Sequence, residues 1–135
     1  MIIKHLLVWF GIAVVAIVNG AARDLLYKPS VGDLTAHQLS TVTLLALIAV
    51  AAWLAGARWP LGSPGAAWIV GLCWTMMTLA FEFLLGGVVL GRPWGTLLRD
   101  YDIGAGRIWI LIPLWLLIVP LLARALRARI APARP

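Results

Sequence analysis

Thiols and acids are scarce in this sequence. Cys73 is the only cysteine among 135 residues, so no disulfide can close within the chain and no thiolate cluster can hold a metal. It sits inside an apolar run and reads as a small buried hydrophobe. Only 12% of residues are charged, against about a quarter in a soluble domain. The two histidines, His5 and His37, belong to opposite membrane sides, which excludes haem clamped between them in one monomer. No His/Cys/Asp group has zinc spacing, and no glycine-rich loop follows a strand to hold a nucleotide. No nucleophile–base pair stands out. No catalytic residue, metal or cofactor is therefore expected, and a lipid-acting enzyme is the least supported class.

What the chain has is apolar surface. Hydrophobic residues make up 63% of it and the mean hydropathy is +0.99. Polar side chains are too few to cover a soluble particle of this size, so lipid must cover part of it. The net charge of +6 could suggest nucleic acid, but the hydropathy argues against that partner. Basic groups beside apolar spans face anionic headgroups and set topology. Arginine outnumbers lysine nine to two, a usage of GC-rich bacterial genomes.

The expected fold class is all-α, a bundle of four transmembrane helices in a single integral-membrane domain over residues 1–135. The expected spans are 6–22, 35–57, 66–90 and 107–123, each near the roughly 20 residues that cross a hydrocarbon core. The first could pass for a signal peptide, with Lys4 and His5 before the apolar run and small residues after it, but it reads as a helix. Pro29, Ser30 and Gly32 break the first connection. Pro60, Gly62, Pro64 and Gly65 mark a tight turn in the second. Pro113 and Pro120 kink the last span. Within 93–101, Trp94, Leu97, Leu98 and Tyr101 recur at helical spacing, which predicts a short amphipathic helix at headgroup level. Trp9, Trp53, Trp59, Trp68, Trp94 and Trp109 lie toward span ends, as in aromatic belts. Trp74 and Trp115 sit deeper, where packing between helices is expected.

With four spans both termini share a side with Arg58 and the tail RALRARIAPARP. That tail has no acid, while Asp24, Asp33, Asp100 and Asp102 fall on the other side. Both termini are therefore expected in the cytoplasm of a bacterial inner-membrane protein.

Glu82 is the only glutamate. It lies roughly 12 Å inward from Leu90 at 1.5 Å per residue. An ionised carboxylate facing lipid at that depth would cost at least ~2.5 kcal/mol, so it should face the bundle. Gly71, Thr75, Thr78, Glu82 and Gly86 form a stripe of small and polar residues suited to helix contact. Other polar groups cluster in the same half, which predicts an outer pocket with Glu82 at its floor. Asn19, Arg23, His37, Thr78 and Arg107 complete the expected ligand or ion site, with Arg23 or Arg107 as counter-ion. Asp24, Arg99 and Asp100 form an expected charge network around it.

The segments NGAARDLL (19–26), FEF (81–83), LLRDYD (97–102) and GRIW (106–109) together resemble small four-span bacterial inner-membrane proteins. The resemblance covers most of the chain; it implies the fold and the location but brings no activity. The size and the lone intramembrane glutamate are also similar to small multidrug resistance exporters. There the glutamate lies in the first helix and here in the third, so no residue role is carried over.

The leading expectation is thus a small transporter-like or ligand-binding membrane protein, taking a lipid or small ionic ligand and forming a homo-oligomer. The alternative is a structural or accessory subunit of a larger membrane complex, in which Glu82 only fixes helix register.

Overall fold

The computed structural model describes residues 1–132. The protein is all-helical, with no strand among the described residues. Its α-helices are α1 (Ile2–Ala22), α2 (Lys28–Val31), α3 (Asp33–Arg58), α4 (Pro64–Phe83), α5 (Trp94–Arg99) and α6 (Leu111–Ile130). Four helical stretches are long and apolar enough to cross a membrane: Ile2–Val31, Asp33–Arg58, Pro64–Val89 and Leu111–Ile130. These are the features of a multi-pass membrane protein.

The first connection differs from the sequence expectation. Residues Arg23–Tyr27 continue α1 as a π-helical turn, and α2 carries the rod on to Val31. Pro29 enters in the first turn of α2, where a missing N–H breaks no bond within that turn. The true break is Gly32, whose φ of 87° is open to glycine and strained for other residues. The third span ends similarly, with α4 running into a π-helical stretch, Leu84–Val89.

The α4 start follows local rules. The Ser63 hydroxyl accepts from the Ala66 N–H at 3.1 Å, and Pro64 occupies the first turn. The last helix starts later and runs further than the apolar run, from Leu111 to Ile130. Pro113 falls in its first turn, where no helical N–H is lost, so only Pro120 is interior.

The spanning helices form a ring. α4 and α3 both pack along α6, and α1 packs against α3 and α4. The contact between α4 and α6 is the closest: a Cβ built on Gly71 would lie 2.1 Å from the Leu117 carbonyl oxygen. Thr75, one turn on, shares its single hydroxyl proton between the carbonyls of Gly71 (2.9 Å) and Pro113 (3.0 Å). In lipid no hydrophobic drive pulls helices together, so close backbone approach and such bonds hold the bundle.

Trp74 is fully buried and donates its indole N–H to the His5 carbonyl at 2.8 Å. Trp115 donates to the Leu45 carbonyl at 2.9 Å. The outward faces of α1 and α3, with Phe10, Val14, Val18, Val50 and Leu54, are exposed apolar surface. Two expected belt residues turn inward instead. Trp9 is buried and donates to the Thr78 hydroxyl at 2.8 Å; Trp109 donates to Glu82. A sequestered indole N–H needs an acceptor, and both find one only toward the interior.

Candidate functional site

Glu82 faces the bundle interior. Its Oε1 accepts from the Trp109 indole N–H at 2.7 Å, and its Oε2 accepts from the Tyr101 hydroxyl. Tyr101 follows α5, and its ring stacks on Phe83 at 6.2 Å; Trp94, which opens α5, stacks on the same ring at 5.4 Å. Leu97 lies over Gly86, whose missing Cβ leaves room for it. The short helix therefore packs onto the end of the third span, and that packing aims the Tyr101 phenol at Glu82. Burial and the adjacent carboxylate push that phenol above its ordinary pKa, so it remains a proton donor.

The expected counter-ions do not reach Glu82. The Arg23 guanidinium is held by its neighbour Asp24 at 2.9 Å, and Arg107 pairs with Asp33. Both arginines find exposed aspartates at the rim, where solvation of the charges is retained. Among the described residues no basic side chain forms an ion pair with Glu82; its two partners are neutral donors.

A cavity of about 250 Å³ opens beside the carboxylate. Glu82, His37, Thr78 and Arg23 of the expected site line it, as does Asp100. Asn19 and Arg107 do not. Asn19 donates to the Ser40 carbonyl at 2.9 Å, tying α1 to α3. Arg107 lies between Asp33 and, at 3.7 Å, Asp100. Of the expected charge network, Asp24 and Asp100 are engaged, while Arg99 makes no ion pair among the described residues. Lys28, absent from the sequence expectation, bridges Asp33 at 3.1 Å. Thr78 lines the cavity with its hydroxyl oxygen already accepting from Trp9.

His37 is buried, and its Nε2 accepts the Ile108 backbone N–H at 3.2 Å. That bond fixes the proton on Nδ1, which faces Asp100 at 4.0 Å. Gln38 donates to the Gly106 carbonyl at 3.0 Å. The start of α3 thus anchors the loop that delivers Trp109. Deeper in, the cavity becomes apolar, with Ile12, Leu44, Ile48, Ile112 and Leu116 on its walls.

A second cavity, of about 520 Å³, occupies the other end of the bundle, beside the arginine-rich tail. The two approach each other closely. Trp9, Ile48, Thr78 and Leu116 line the first; His5, Ala52, Trp74 and Pro120, each four residues nearer the far end, line the second. On every spanning helix these lining residues are about one turn, or ~6 Å, apart along the axis.

Comparison with family models, curated proteins and solved structures finds no match for this chain. The fold and the site define a small four-span helical membrane protein with one carboxylate turned into an internal cavity.

Proposed function

We propose that the protein is a small transporter-like, ligand-binding membrane protein whose cavity takes up a proton or a lipophilic organic cation at Glu82. The observation that carries this reading is the carboxylate's company: it faces a cavity, with two neutral hydrogen-bond donors and no paired cation. Such a group has capacity left for a positive ligand. The walls fit one as well. Trp9, Phe81, Phe83, Tyr101 and Trp109 line the same cavity as the carboxylate, and aromatic faces attract cations. Transport rather than storage is favoured by the second cavity lying one helical turn away. The same reading puts the protein in a bacterial inner membrane with both termini in the cytoplasm, functioning as a homo-oligomer.

The test uses intact chain in nanodiscs, with tetraphenylphosphonium as the probe cation, followed by flux in proteoliposomes. Wild type binds the probe and Glu82→Gln loses binding while retaining helicity and oligomeric state. Equal binding by both would sink the proposal.

A second reading, an accessory subunit with a structural clamp, is favoured by the same two bonds, which join the third span to α5 and to the approach of α6. It requires that Glu82→Gln chiefly lowers stability and that the protein co-purifies with a partner.

A further inference from the structure

The second cavity carries an inference independent of Glu82. Its lining includes Arg124, Arg127 and His5 and no acidic side chain. All five acidic residues of the chain lie elsewhere, at Asp24, Asp33, Glu82, Asp100 and Asp102, toward the opposite end.

The two arginines are fixed by backbone carbonyls rather than by charge. Arg124 Nε donates to the Leu61 carbonyl at 3.1 Å, and Nη2 to the Gly62 carbonyl at 3.4 Å. Arg127 Nη2 donates to the Trp53 carbonyl at 2.8 Å, with its guanidinium 4.1 Å from the Trp53 ring centroid. Each guanidinium has five donors, so most remain unused. Arg127 Nε is buried and has no partner among the described residues. The side chain packs along Gly56, where a Cβ would come within 3.4 Å of that nitrogen.

His5 provides the second orphan. It is only 2% exposed. Its Nε2 meets the Trp59 carbonyl at 2.9 Å, and a carbonyl can only accept, so Nε2 carries the proton. Nδ1 is then a buried acceptor with no donor. A buried polar atom without a partner is costly, and the histidine closes the floor of the cavity at that expense. The remaining walls are apolar, with Ala52, Leu61 and Pro120 among them.

We propose that this cavity binds a phosphate ester, supplied as the headgroup of an anionic membrane lipid. The phosphate oxygens take the free terminal N–H donors of Arg124 and Arg127, since a guanidinium fork matches phosphate geometry. The glycerol and the first methylenes lie along the apolar wall. The leaflet at this end also faces Lys4 and Arg129, which draw anionic lipid to the surface.

The test compares intact protein in phosphatidylcholine nanodiscs with and without added phosphatidylglycerol. Unfolding temperature and lipid retention by native mass spectrometry are read. Phosphatidylglycerol is expected to raise the midpoint and to be retained. Arg127→Gln weakens retention about tenfold, the scale of one lost charge-assisted bond. Ala57→Phe, at the exposed rim of the cavity, does the same by obstruction and serves if Arg127→Gln does not fold. Arg58→Gln, outside the cavity, leaves retention unchanged. Inorganic phosphate added to phosphatidylcholine discs separates the sources. An equal rise with phosphate alone upholds the anion site and overturns the lipid as its ligand. The proposal is overturned by no rise with either anion, by retention that survives both cavity variants, or by an equal loss in Arg58→Gln.

Discussion

Gly71 and Leu117 meet backbone to backbone: no side chain larger than hydrogen fits at position 71 while the Leu117 carbonyl stays in place. The tightest joint of the bundle therefore rests on one missing methyl group. Gly71→Ala forces α4 and α6 apart, and overpacking of this kind costs about 1–3 kcal/mol. At Gly86 a Cβ would meet only the movable Leu97 side chain, at 2.7 Å, and at Gly11 nothing lies within 4 Å. Unfolding in mixed micelles should rank the alanine variants accordingly, Gly71 worst and Gly11 nearly neutral. A Gly71→Ala protein as stable as Gly11→Ala would contradict this packing.

Thr75 extends the same joint by sharing one hydroxyl proton between two carbonyls. Thr75→Val keeps the shape and removes both bonds, at about 1 kcal/mol. Thr43, exposed and bonded only to its own helix at Leu39, is the control. Thr43→Val should change stability by a few tenths of a kcal/mol at most.

Tyr101 and Trp109 share one acceptor side chain, so their contributions are coupled. Tyr101→Phe and Trp109→Phe each leave a carboxylate oxygen without its donor, at about 1–3 kcal/mol. A double-mutant cycle should give a non-zero interaction energy, since both act on Glu82. Strict additivity would show that the two bonds are independent.

The Tyr101 phenol predicts an alkaline signature. Its pKa is raised in the folded protein, first by burial and then by Glu82, so the folded state holds this proton more tightly than the unfolded chain. The contribution is whole below the unfolded value of about 10 and falls as pH climbs above it. In a Tyr27→Phe chain, where Tyr101 is the only tyrosine, phenolate absorbance should be absent at about pH 10 while the protein is folded. It should appear on denaturation. Ordinary titration in the folded protein would refute the Tyr101–Glu82 contact.

The existence of four spanning helices, the short helix after Pro93 and the inward aim of Glu82 were all legible in hydropathy, spacing and the cost of a bare carboxylate in lipid. The partners of Glu82 were not. Charge complementarity pointed to Arg23 and Arg107, yet each has an aspartate within reach at the rim, and a rim pair keeps its water. Trp109 was assigned to the interfacial belt by its position in the chain. Only the loop anchored by His37 and Gln38 shows that its indole turns inward. Pro29 read as a helix breaker because a π-helical turn has no sequence signature comparable to a proline. The second cavity left one faint mark, the i, i+3 spacing of Arg124 and Arg127, which a tail full of arginines conceals.

The thin partition between the two cavities has an electrical consequence. When water fills both and joins each to the bath on its own side, only about one helical turn of lining residues divides the two potentials. The membrane voltage then falls across roughly 6 Å instead of the ~30 Å of a full hydrocarbon core, a field about five times steeper. A charge crossing the layer of Trp9, Trp74, Ile48 and Leu116 would feel nearly the whole voltage in that one short step.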